Sequence, residues 1–250
     1  MQILKVISLL LDYPAEPLRE GYTELANAIS AAREISPEQR AALRALLDEL
    51  SGGELMDVQE RYSDLFDRGR ALSLLLFEHV HGESRDRGQA MVDLMAEYQA
   101  AGFAIDVREL PDYIPLYLEY LSTRADLEAR EGLADVAYLL ALLAARLEER
   151  KSPHAACFAA LLQIAGQPLD AVAALRAQVA GEERDDSLEA LDKVWEEEQV
   201  NFLQAEQQER CPSQLSGPGK AREESAVPLH WTDFKHEGQA GAPAREVGNV

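Results

Sequence analysis

"ISPEQRAALRALLDELSGG", Ile35–Gly53, reads as one complete helix with its start and its stop written into it. Ser36 is an N-cap residue, Pro37 stands where a missing N–H costs nothing, and Gln39 completes a capping box. Gly52 closes the helix. The device repeats. "SRDRGQAMVDLMAEYQAAG" opens at Ser84 and closes at Gly102, with Met91, Leu94, Met95 and Tyr98 along one face; "SPHAACFAALLQIAG" opens at Ser152 and Pro153 and closes at Gly166. Patterns of period 3.6 also fill Gln2–Asp12, Pro17–Ala32, Glu54–Phe66, Ala71–His79, Pro111–Thr123, Leu133–Arg150, Leu169–Val179 and Leu188–Gln207. No stretch alternates with period two for long enough to form a strand. The expected fold is all-α, a single bundle of about ten helices with no internal repeat.

The 250 residues, 47% apolar, suffice for one buried core. We expect an all-helical domain over 1–210 and a disordered tail over 211–250. Between Glu182 and Arg210, eleven acids face three bases, which reads as a solvated helix anchored by Trp195 and Phe202. Beyond Cys211, Gly, Pro, Ser and charge dominate and cannot bury enough area to offset ordering. The apolar knot "LHWTDF", Leu229–Phe234, interrupts that tail.

The formal charge of −21 argues against nucleic acid and anionic membranes, because phosphate recognition needs a basic stripe; a basic peptide would be attracted instead. The opening "MQILKVISLLLDYP" has Asp12 and Pro14 behind its apolar run and no small-residue cleavage site, so it reads as a core helix rather than a signal peptide. No run reaches the ~18 apolar residues of a membrane span. Cys157 and Cys211 form no paired spacing, which fits a reducing cytoplasm, and Cys157 reads as a small buried hydrophobe.

Catalytic signatures are scarce. Glu78-x-x-His81 is the spacing that puts a carboxylate and an imidazole on one helix face, as in di-iron bundles, but no second copy occurs. His81 adjoins Gly82, so histidines capping a helix end are the simpler reading. His154, His230 and His236 share no ligand spacing, and nucleophile-elbow, Walker and dinucleotide motifs are missing. A helical-bundle metalloenzyme is thus the alternative to a non-catalytic binding protein with no cofactor and no metal.

The middle of the chain differs from the rest. Arg61–Gly88 holds five bases and five acids, and "FDRGR" and "HGESRDRG" are charged, glycine-bearing loops beside apolar helices, suited to rim a groove. "RELPDYIPLYLEYLS", Arg108–Ser122, follows, with Pro111 and Pro115 placed for a first helical turn and Tyr113, Tyr117 and Tyr120 along a wall.

In order, Tyr62 to Met91 reads Y-x-x-L-F-D-x-G-x-x-L-S-L-x-L-x-E-H-x-x-G-x-S-x-x-R-G-x-A-M, and Glu109 to Leu121 reads E-L-P-D-Y-x-P-L-x-L-E-Y-L. This pair of motifs resembles the NarJ family, the molybdenum cofactor assembly chaperones of respiratory nitrate reductase, often called its delta subunit. The likeness extends more loosely from the first helix to about Phe202. In the wider redox-enzyme maturation chaperones the second motif usually reads E-x-P-D-H; here Tyr113 stands in place of histidine, which leaves Asp112 as the polar anchor.

The resemblance implies an all-helical, non-catalytic protein of the cytoplasm. It would bind the N-terminal peptide of the apo catalytic subunit of a membrane-bound respiratory nitrate reductase, hold it until the molybdenum cofactor is inserted, and then leave, without joining the final complex. A basic amphipathic helix in an apolar groove is a recurring recognition mode. On the two motifs, the residues expected to contact it are Tyr62, Phe66, Asp67, Arg70, Leu74, His79, Arg87, Asp112, Tyr113, Leu116, Tyr117, Glu119 and Tyr120. Asp112 and Tyr113 are expected at an exposed helix start, facing the groove beside "FDRGR".

Overall fold

Gln2–Leu11 forms α1, and six of its apolar residues, from Ile3 to Leu11, are buried. The computed structural model describes residues 1–81, 85–105, 109–168, 170–190, 192, 193 and 195, with His81, Arg85 and Ala171 in backbone only. All lie within the unit Met1–Phe202. The predicted tail over 211–250, Leu229–Phe234 included, lies outside the described residues, as does most of the helix expected over Leu188–Gln207; its start, Leu188–Ala190, is helical behind a Ser187 cap.

Before that last helical start come α2 Glu16–Glu20, α3 Tyr22–Ala31, α4 Pro37–Ser51, α5 Leu55–Phe66, α6 Leu76–His81, α7 Arg85–Ala100, α8 Ile114–Ser122, α9 Asp126–Asp135, α10 Ala137–Glu149, α11 Ala155–Ile164 and α12 Asp170–Val179. The all-α reading holds: the described residues contain no strand, only one isolated antiparallel bridge between Leu75 and Tyr113. Helix α1 lies against α8 and also meets α3, α4 and α11, while α10 packs on α11 and α12. An apolar helix covered on several sides is what the opening sequence encodes. Two polar ties lock α1 to α8: the Ser8 hydroxyl donates to the Pro115 carbonyl at 2.7 Å, and the N-terminal ammonium donates to the Ser122 carbonyl at 3.0 Å.

Several boundaries differ from the sequence reading. The span Pro17–Ala32 is broken at Gly21, which ends α2 and begins α3. Helix α9 has no sequence signal, because Ala125 offers no capping side chain and only Ala129 and Leu133 are buried. Helix α10 accordingly starts at Ala137 rather than Leu133. Ser36 caps α4 by accepting the Gln39 N–H at 3.2 Å, but the capping box is only half formed, since the Ser36 N–H donates to Gln163 of α11 at 2.8 Å. A tertiary acceptor has replaced the local one.

The largest departures fall on the two motifs. Helix α6 begins at Leu76, not Ala71, and α8 begins at Ile114, not Pro111. The Leu76 N–H donates to the Asp112 carbonyl at 2.9 Å and the Ile114 N–H donates to the Leu74 carbonyl at 2.8 Å. Backbone groups committed across the chain in this way cannot also close helical turns. In α7, Tyr98 is fully buried and Leu94 nearly so, whereas Met95 points outward and is 41% exposed. Gly102, at φ 73°, ends that helix, with the Phe103 N–H bonded back to the Tyr98 carbonyl at 2.8 Å, a closing turn that favours glycine.

Candidate functional site

The motif residues separate into three groups. The first borders two neighbouring clefts at the C-terminal end of α5. The larger, about 410 Å³, is lined by Val58, Arg61, Tyr62, Leu65 and Arg68 from α5 and its exit, and by Leu50, Arg150, Ser152, Pro153, His154, Arg184 and Asp186 across from them. The smaller, about 350 Å³, is lined by Phe66, Asp67, Arg68, Gly69, Arg70, Ser73, Glu78 and Asp185. Four expected contacts, Tyr62, Phe66, Asp67 and Arg70, are therefore brought together here. Asp67 and Arg70 are exposed, while Tyr62 and Phe66 are nearly buried and stack at 4.8 Å between ring centres.

His154 closes the back of the larger cleft. Its ring meets Phe66 edge-on at 5.2 Å, and burial pushes its pKa down to about 4, so the imidazole is neutral at physiological pH. Its Nδ1 lies 3.2 Å from the Ser152 hydroxyl, which also accepts the His154 backbone N–H, and Nε2 has no hydrogen-bond partner among the described residues. In the sequence "SPH" signals only a helix start, and nothing local announces that it faces α5.

The second group lies at the bridge between the motifs. Asp112 is 0% exposed, which corrects the exposed helix start expected for it. One carboxylate oxygen accepts the Phe77 N–H at 3.1 Å, capping α6 rather than its own helix, and the other has no hydrogen-bond partner among the described residues. Burial raises its pKa above the ordinary carboxylate value; the Phe77 N–H and the Arg87 charge act in the opposite direction. Leu74 is buried beside it. Half-buried His79 places Nε2 2.8 Å from the Ser73 carbonyl, and burial lowers its pKa. Arg87 is half-buried on α7.

Tyr113 turns the other way. Its hydroxyl donates to Asp12 at 3.0 Å and lies 3.4 Å from that of Tyr62, which donates to the Leu11 carbonyl at 2.8 Å. Burial raises the pKa of both tyrosines. The motifs are thus joined to the end of α1 as well as to each other.

The third group lies on α8. Tyr117 donates to the Gly132 carbonyl of α9 at 3.0 Å, and Tyr120 packs at a tilt against Tyr98 of α7 at 4.5 Å and edge-on against Phe103 at 5.9 Å. Glu119, 44% exposed in its side chain, stands 3.8 Å from Lys5, and Leu116 is half-buried. The tyrosine wall is formed only in part: Tyr117 and Tyr120 lie side by side, 6.4 Å between ring centres, whereas Tyr113 faces Asp12 and Tyr62 instead. None of the α8 residues, nor Asp112, borders the α5 clefts.

Glu78 accepts the Ser73 hydroxyl at 2.5 Å and pairs with Arg70 at 3.8 Å, while the His81 side chain lies outside the described ones. Among the described residues no group of three or more His, Cys, Asp or Glu is placed to hold a metal ion.

An all-helical domain whose two long motifs are hydrogen-bonded to one another, beside two clefts at one helix end, is a specific structural class. Residues 15–160 match the family described as the nitrate reductase delta subunit. The chain is 53% identical over 204 residues to NarW of Escherichia coli K12, named "Probable nitrate reductase molybdenum cofactor assembly chaperone", covering 82% of this chain and 85% of the relative. It is 51% identical over 200 residues to the nitrate reductase molybdenum cofactor assembly chaperone NarJ of the same organism, covering 80% and 84%. A NarJ relative from Bacillus subtilis is 32% identical over 159 residues, covering 62% and 84%. The chain belongs to the nitrate reductase delta subunit family, as its two motifs indicate.

Proposed function

We propose that this chain is an assembly chaperone for a respiratory nitrate reductase, that it binds the N-terminal segment of the apo catalytic subunit, and that it keeps that subunit receptive to the molybdenum cofactor. The observation that carries this reading is the 53% and 51% identity, over more than four-fifths of their own lengths, to two relatives named for molybdenum cofactor assembly. It acts without catalysing a reaction and without a cofactor of its own, in the cytoplasm, and leaves before the enzyme complex is complete. No described helix is long and apolar enough to cross a membrane.

The α5 clefts are the best place for client contact. Asp67 offers an exposed carboxylate to a basic segment, half-buried Leu65 offers apolar surface, and the chain's charge of −21 speeds encounter. Leu116, Glu119 and Arg87 are accessible at other faces and would contact the client only if it extends beyond the clefts. The test is calorimetric titration of the full chain with a synthetic peptide of the catalytic subunit's first residues. Binding that Asp67→Asn and Leu65→Ala weaken while the melting temperature holds supports the reading. Binding untouched by either variant moves the client elsewhere, and no binding refutes peptide recognition.

A further inference from the structure

The acidic composition after α12 predicts a solvated helix, yet Glu182–Asp186 is not helical and three of its four acids, Glu182, Asp185 and Asp186, are engaged. Arg146 of α10 grips Glu182 with two bonds, 2.8 Å from Nε and 3.0 Å from a terminal nitrogen. Arg150, one turn later, bonds Asp185 at 2.9 Å and Asp186 at 3.0 Å. Both arginines are sheltered, at 16% and 11% side-chain exposure, where charge-assisted bonds are stronger than on an open surface.

The same groups reach the loop that follows α5. The Ala71 N–H donates to Asp185 at 2.6 Å, and Arg146 donates to the Ala71 carbonyl at 2.8 Å, so both backbone groups of one loop residue are held. Gly69 lies directly under the Asp185 carboxylate; a Cβ there would come within 2.5 Å of it. Asp185 borders the smaller cleft, and Arg184 and Asp186 border the larger. The segment is thus the wall facing Tyr62, Phe66 and Asp67.

We propose that Glu182–Asp186 is an ionic strap, that Arg146 and Arg150 are its anchoring residues, and that the strapped state is the one competent to bind the client. This rests on the proposed function, since the client is the basic segment expected there. Release would cost the clefts a wall and free the Gly69–Ala71 loop. It would also leave the Arg150 charge uncompensated in the larger cleft, where a cationic peptide would meet it. Both effects lower affinity, so the strap is a positioning element and does not compete with the client.

The test uses the full chain and three variants. Asp185→Ala and Arg150→Ala break the strap by removing charge; Gly69→Ala displaces it without altering any charge. Hydrogen exchange at the Ala71 amide reports the strap, exchange at Leu143 within α10 reports global stability, and titration with the catalytic subunit's N-terminal peptide reports competence. The expected result in all three is about tenfold faster exchange at Ala71, unchanged exchange at Leu143, and peptide affinity lower by about fivefold or more. Unchanged Ala71 exchange overturns the strap whether or not the chain binds the peptide. Faster Ala71 exchange with unaltered affinity overturns its role in competence. If wild-type chain does not bind the peptide, the proposed function fails by itself, and competence falls with it. Should Arg150→Ala lose its fold, Gly69→Ala decides the same two points.

Discussion

The Asp112 carboxylate accepts the Phe77 backbone N–H at 3.1 Å, so a side chain of the second motif caps a helix of the first. Around this bond the Leu76 N–H meets the Asp112 carbonyl and the Ile114 N–H meets the Leu74 carbonyl. Two stretches some thirty-five residues apart are thereby closed into one unit.

Burial makes Asp112 a pH-dependent element. Its folded-state pKa is raised from 3.8, chiefly by burial, so its contribution favours the fold below the ordinary value and is lost as pH rises through the raised one. Asp112→Asn keeps an acceptor for Phe77 and removes the charge. The stability of the variant relative to wild type should therefore increase between pH 4 and pH 7, read as urea midpoints. Asp112→Ala should instead cost about 1 kcal/mol as a lost cap. A variant difference that does not change with pH would show that the carboxylate is not held in this way.

His154 has the opposite sign. Its folded pKa is depressed to about 4 from 6.5, so its contribution is present above pH 6.5 and is lost as pH falls towards 4. Between pH 7 and pH 5 wild type should lose about 2 kcal/mol through this group, a loss that His154→Phe should lack. Equal losses in both proteins would place the acid sensitivity elsewhere.

Gly132 lets α9 approach α8. A Cβ there would come within 2.8 Å of the Leu121 side chain and 2.9 Å of the Tyr117 hydroxyl. Gly132→Ala should lower stability by about 1–3 kcal/mol through overpacking, even though alanine is the better helix former. Tyr117→Phe combined with it should recover part of the loss, and a neutral or stabilising Gly132→Ala would contradict the close approach.

Tyr113 ties the bridge to the end of α1 through Asp12. Tyr113→Phe should cost about 1 kcal/mol in chemical denaturation, the ordinary worth of one such bond, and Asp12→Ala, which also frees the Tyr13 N–H, should cost less by a similar amount in the Tyr113→Phe background than in wild type. Additive losses would mean that the two residues are not coupled.

Most helices are legible in the sequence because their signals are local. A Ser36 hydroxyl reaches the Gln39 N–H three residues on, leucines at period 3.6 define a face, and glycines 102 and 166 have positive φ where helices end. The family is legible too, since ordered motifs are read without knowing where side chains point. Helix α9 is not, because its burial rests on two residues and its close fit on a glycine that packs against another helix.

The candidate site divides in the same way. Sequence alone groups Tyr62, Phe66, Asp67 and Arg70, because one helix end and its loop carry them all. It marks Asp112 as a polar anchor but puts it at the surface, since the helix that Asp112 caps begins at Leu76, in the other motif. The opposite wall of the clefts, His154 and Arg184–Asp186, comes only from the tertiary structure. Local propensity operates over three or four residues and is written in the sequence as spacing. Which acid meets Arg150, and which N–H meets Asp112, depends on helices packed from distant parts of the chain.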